Sequence, residues 1–108
     1  MVLLDAGIVN RALAAAKTLA RLGTVRAVYV FGSRVEGSAD RWSDIDVAAF
    51  MEGIENWDIL ERAHAMALVM EEAGSVVEAH LFPVSALENP VQGSFSEYIL
   101  QHGVRITE

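Results

Sequence analysis

Hydrophobic and polar positions along this chain alternate between two periods. Over residues 6–22, Ile8, Val9, Ala12, Leu13, Ala16, Leu19 and Ala20 fall on one broad face, with Arg11, Lys17 and Arg21 elsewhere. That spacing predicts a helix, and Gly23 stands where it should end. Residues 25–31 are nearly all apolar and β-prone, which predicts a buried strand. A polar stretch from Gly32 to Ser43 separates it from a second expected strand, 44–50. Residues 55–73 return to helical spacing. Ile59, Ala63, Met66, Met70 and Ala73 form the expected inward stripe, and Gly74 the stop. A third strand is expected over 75–82, before Pro83. A last helix starts near Ser94, where Ser94 and Glu97 have capping-box spacing, and ends before Gly103. The order helix, strand, strand, helix, strand, helix predicts a small α/β domain, one sheet covered by helices.

Composition narrows the picture. The 108 residues support one domain, 1–108, and 53% hydrophobic content can fill its core. There is no cysteine, so a disulfide framework and a thiolate metal site are excluded. No apolar run approaches the roughly 18–20 residues that span a bilayer. No basic, then apolar leader opens the chain, so no membrane association and a cytoplasmic location are expected. The formal net charge of −7 argues against direct nucleic-acid binding, which needs clustered Lys and Arg. It suits a basic partner protein, or a ligand that arrives with its own metal ions.

Two short segments carry candidate chemistry. Gly32-Ser33 follows the first strand. A glycine there allows close approach to the backbone, and a short helix starting at Ser33 would offer amides and a hydroxyl to phosphate oxygens. Arg34 would add a charge-assisted contact. Asp44 and Asp46 are two apart on the second strand and so share a face. Carboxylates that close repel unless a cation lies between them, and a hard ion such as Mg²⁺ suits oxygen ligands. Either segment alone is ordinary: a turn in one case, a solvated strand face in the other. Together they form Gly-Ser-x10-Asp-x-Asp, with a strand beside each half.

That pattern, in the stretch from Val30-Phe31-Gly32-Ser33-Arg34 through Trp42-Ser43-Asp44-Ile45-Asp46-Val47, resembles the signature of the DNA polymerase beta-like nucleotidyltransferase superfamily. It looks like the short prokaryotic members, the minimal nucleotidyltransferases. The resemblance implies a small nucleotidyltransferase fold, with a three- to four-stranded mixed sheet flanked by helices. It implies that Gly32 and Ser33 contact nucleotide phosphates and that Asp44 and Asp46 hold two Mg²⁺ ions. A third carboxylate is expected on the next strand, where Glu78 is the only acid, although many members carry Asp there. Glu78 would bind the second metal or act as base. ATP is the expected substrate.

Larger members add a helical domain for the acceptor, and this chain is too short to hold one. Minimal nucleotidyltransferases often pair with a HEPN-domain toxin, and some transfer AMP to a tyrosine of that partner. The resemblance therefore implies an adenylylating antitoxin working in a hetero-oligomer. The alternatives are a small-molecule, antibiotic-type nucleotidyltransferase, with a homo-oligomer completing its pocket, and a non-catalytic binding antitoxin. Among other residues, His80 shares a strand face with Glu78 and can line the same pocket, although a structural role is ordinary for a lone histidine. His64, Trp57, Met66 and Met70 are expected to pack in the core, and His102 to cap a helix end. Trp42 can cover a base, touch a partner or simply pack over the loop, and Asp40 and Arg41 can pair across that loop.

Overall fold

The computed structural model describes residues 4–37 and 43–107. Its elements are α1 (Ala6–Ala20), β1 (Val25–Phe31), α2 (Ser33–Glu36), β2 (Ile45–Met51), α3 (Ile59–Ala73), β3 (Val77–Pro83), α4 (Val84–Glu88), α5 (Phe95–His102) and β4 (Val104–Arg105), with a 3₁₀ turn at Ile54–Asn56. Every expected helix and strand is present. The unexpected α4 and β4 are too short to show a period. The expectations for Asp40, Arg41 and Trp42 lie outside the described residues. Among those described, no helix is long and apolar enough to cross a membrane.

The strands form one mixed sheet in the order β3-β2-β1-β4. β1 pairs antiparallel with β2 and β4, while β2 and β3 are parallel. A parallel pair needs a crossover, and α3 provides it. Strand alternation then divides the side chains between two faces. Val28, Val30, Val47, Ala49, Val77 and Ala79 face α1 and α3 in the main core. Ala27, Phe31, Ala48 and Phe50 form a second cluster with Ile99 of α5, edged by Ala86 and Leu87 of α4.

The caps follow from local chemistry. Asp5 accepts from the Gly7 amide at 2.6 Å and starts α1. Asp58 and Glu61 form a complete capping box on α3. At α5, Ser94 accepts from the Glu97 amide, but the Glu97 carboxylate accepts from Gly93 N–H instead of closing the box on Ser94. Gly74 ends α3 at φ 128°, where a Cβ would lie 1.9 Å from Nη1 of Arg11. That guanidinium donates to the Ala73 carbonyl and ties α1 to the end of α3.

The helix faces differ from expectation. α3 buries Ala65, Val69 and Ala73, whereas Ile59 is 80% exposed and Met66 and Met70 are partly exposed. Two apolar stripes at helical spacing run along α3, so periodicity alone does not choose between them. The small residues turn inward because α1 presents Ala12 and Ala15 to the same core, which lets the helices approach closely. His64 is likewise exposed, while Trp57 is half-buried against the core. On α1, Ala15 and Thr18 are buried and Leu13 faces solvent, a small rotation from the expected face. Thr18 is accommodated because its hydroxyl donates to the Ala14 carbonyl and to Glu72.

Candidate active site

The site forms where β1 ends and β2 and β3 begin. Sheet register sets Phe31 opposite Asp46, and Asp46 opposite Glu78, so adjacent strands bring the two carboxylates together on one face. His80 lies two residues beyond Glu78 on that face, paired with Ala48. An alanine there leaves the imidazole room to lean toward Asp46. His80 Nε2 is 3.3 Å from Asp46 Oδ1 and 3.8 Å from Glu78 Oε1. One ligand atom from each of the three side chains lies within 4.8 Å of the others. Asp46 and His80 are half-buried and Glu78 is more open, with 49% of its side chain exposed. Phe31 meets the imidazole edge-on, with ring centroids 5.0 Å apart, and Phe95, packed against Phe31, lies 6.1 Å from it.

Gly32 closes one side. Its φ of 82° is a conformation that L side chains rarely adopt, and a Cβ would lie 2.6 Å from Asp46 Oδ2. Glycine is therefore required twice over, once for the turn and once to leave space for the carboxylate. The chain then winds into α2, as expected for a short helix at Ser33, and Gly37 at φ 84° ends it. The first amides of such a turn have no partner within it and are available to an anion. Tyr98 of α5 donates its hydroxyl to Glu36, pinning α2 against α5. That hydrogen bond, with some burial and the carboxylate charge, raises the Tyr98 phenol above its ordinary value of 10.0.

The expected residues are distributed unevenly. Gly32, Asp46 and Glu78 converge, with Ser33 next to them in the chain. Asp44 is exposed one residue before β2 and stands outside the Asp46–Glu78–His80 group. Arg34 lines a cavity of about 380 Å³ with Arg11, Ile45 and Val76, on the core face of β2. Its Nη2 donates to the Ser43 carbonyl at 2.7 Å. His80 belongs to the cluster more fully than its sequence position suggested. The signal was the two-residue spacing from Glu78. His102, in the last turn of α5, lies tilted against Tyr98 with ring centroids 4.6 Å apart. Beside His80, Arg62, Met66, Phe82 and Phe95 line a cavity of about 250 Å³.

The donor set fits a divalent cation. Bonds of about 2.1 Å place cis ligands roughly 3.0 Å apart and trans ligands about 4.2 Å apart in an octahedron. The distances from His80 to the two acids lie within that range. Two carboxylates and an imidazole also suit a doubly charged ion in a half-buried niche, where their repulsion would otherwise be costly.

The family model described as "Polymerase beta, Nucleotidyltransferase" matches residues 14–108. The chain belongs to this nucleotidyltransferase family. No curated protein matches it. Among solved structures it is similar to a Sulfolobus solfataricus protein provisionally described as a nucleotidyltransferase, with 19% identity and a TM-score of 0.62, covering 91% of this chain and 78% of that one. It is also similar to a chain from a toxin-antitoxin structure with AMP-PNP, with 17% identity and a TM-score of 0.55, covering 86% and 70% respectively. At these identities the two structures establish the fold: a mixed four-stranded sheet flanked by helices.

Proposed function

We propose that this chain transfers AMP from ATP to a hydroxyl, with a tyrosine of a HEPN-domain toxin as acceptor, and so serves as an antitoxin. The observation that carries this reading is the convergence of Asp46 and Glu78 beside Gly32, in a chain of the nucleotidyltransferase family. The toxin-antitoxin structure with AMP-PNP supports the partner class and the nucleotide. The cavity beside His80, lined by Met66, Phe82 and Phe95, supports an aromatic acceptor.

The reaction joins the acceptor oxygen to the α-phosphorus of ATP and breaks the bond from that phosphorus to the bridging oxygen, releasing pyrophosphate. When bound, Mg²⁺, two ions in this family's pattern, supplies Lewis-acid charge neutralisation along the triphosphate. Asp46 and Glu78, with the exposed Asp44 one residue before β2, would hold the cations. The Ser33 hydroxyl and the first amides of α2 receive phosphate oxygens. Glu78, the most open member of the cluster, faces the acceptor and takes the hydroxyl proton. Arg34, one residue beyond Ser33, would add a charge-assisted contact to the phosphates.

The test is incubation with α-labelled ATP, Mg²⁺ and the product of the neighbouring gene. Label on a partner tyrosine, lost with Asp46→Asn, is the expected result. Absence of label on every protein offered, together with absence of nucleotide binding, would reject the enzyme. One observation favours a second reading, a non-catalytic antitoxin: Asp44 stands outside the cluster. In that case the doubly substituted Asp44→Ala, Asp46→Ala chain would still neutralise its toxin.

A further inference from the structure

We infer that His80 is a ligand of the metal site, and that this nitrogen donor makes the site select Mn²⁺ over Mg²⁺. The inference rests on the proposed function in taking Asp46 as a metal ligand, and on the geometry of the cluster in adding Glu78 beside it. The resemblance to the family implied oxygen donors alone. The structure adds an imidazole whose Nε2 lies 3.3 Å from one carboxylate oxygen and 3.8 Å from the other. Both separations fall between the cis and trans spacings of one coordination sphere, so an ion bound between the acids meets Nε2 with little rearrangement.

The surroundings hold that nitrogen in place. Phe31 and Phe95, in contact with each other, both pack edge-on against the ring and limit its rotation. Ala48, its partner in the register, is too small to push it aside. Imidazole raises affinity for first-row transition ions far more than for Mg²⁺, which prefers oxygen and retains its water. A site of two carboxylates and one imidazole therefore ranks Mn²⁺ ahead of Mg²⁺.

The alternative role for His80 is a hydrogen bond that only positions Asp46. Metal binding separates the two without any assay of transfer. Mn²⁺ is titrated into the nucleotide-free protein and followed by the electron paramagnetic resonance of the free ion, with Mg²⁺ as competitor. Electron spin echo modulation of bound Mn²⁺ then detects a directly attached nitrogen. The wild-type protein should show imidazole ¹⁴N coupling and a Mn²⁺ preference on the order of tenfold or more. His80→Phe, which keeps an aromatic ring against Phe31 and Phe95, should abolish the coupling and weaken Mn²⁺ binding by roughly tenfold or more. Mg²⁺ binding should move much less. His80→Asp keeps a third donor through oxygen, so it should hold metal while losing both coupling and preference. That variant carries the test if the Phe variant fails to fold.

Absence of Mn²⁺ binding, Mn²⁺ bound without nitrogen coupling, or unchanged Mn²⁺ affinity in His80→Phe would each overturn the inference. The two readings fail separately. Transfer with no nitrogen coupling removes the histidine ligand and leaves the enzyme. Coupling without transfer does the reverse.

Discussion

The two faces of the sheet draw alternate positions from the same strands and use them differently. The face toward α1 and α3 is apolar and closed, with Val28, Val30, Val47 and Val77 fully buried beneath Ala12, Ala15, Leu19 and Val69. The opposite face is closed only in part, where α4 and α5 meet Phe50 and Ala27. Near the starts of β2 and β3 it holds Asp46, Glu78 and His80 half-open to solvent. One strand serves both purposes: Ile45 and Val47 anchor β2 on one side while Asp46 projects on the other. Stability and chemistry are thus separated by a single residue step, and substitutions on the two faces should affect different measurements.

The largest divergence is expected between Asp46→Asn and Leu19→Ala. Asp46→Asn should reduce transfer by roughly a thousandfold or more, upwards of about 4 kcal/mol in the barrier. Thermal unfolding should hardly change, because the side chain is half-exposed and not part of the core. Leu19→Ala should cost about 2–5 kcal/mol of stability in denaturant titration. The activity of its folded fraction should be preserved. If Asp46→Asn unfolds the chain, the separation of the two faces fails.

Gly32→Ala probes the seam between them. Its methyl group would displace the Asp46 carboxylate and hold an alanine at φ 82°. A loss of transfer of about a hundredfold is expected. A destabilisation of about 1 kcal/mol or more should accompany it. Unchanged activity would mean that Asp46 works from a different position.

The same seam shows what could be read from sequence. The spacing from Ser33 to Asp44 and the strand beside each half were enough to locate the Gly32 turn and the β2 acid, because a two-residue period fixes which side a strand residue faces. Glu78 could be reached only through the family pattern, since the register that sets it opposite Asp46 depends on the crossover through α3. His80 was visible as a same-face neighbour. Its approach to Asp46 depends on the small Ala48 across the register, a contact between strands that no single-strand pattern encodes. The misplaced face of α3 has a related cause. Ile59, Met66 and Met70 satisfy helical spacing as well as Ala65, Val69 and Ala73 do, and only the small residues of α1 decide between them.

Ile59→Gln tests that choice, since on an exposed face it should change stability by no more than about 0.5 kcal/mol. A loss of several kcal/mol would restore the larger stripe to the core. The smallest effect concerns Glu72, which links α3 to α1 through Arg21 at 2.7 Å and through Thr18. Hydrogen bonds from Arg21 and then Thr18 lower its carboxyl below the ordinary 4.5. A depressed folded value adds stability above the unfolded pKa, and this is lost as pH falls through the folded value. Glu72→Gln should lower the melting temperature slightly near neutral pH, with the difference closing below about pH 4.5. A difference that persists unchanged in acid would show that packing, rather than charge, makes the link.

The central claim is that Asp46 and Glu78, beside Gly32, form a metal-dependent nucleotide site. Calorimetric titration with AMP-PNP, with and without a divalent ion, tests it most directly. The wild-type chain should bind the nucleotide only when the ion is present, and Asp46→Asn and Glu78→Gln should each lose that binding while keeping the wild-type melting temperature. Binding of equal strength in the absence of metal, or in both variants, would contradict it.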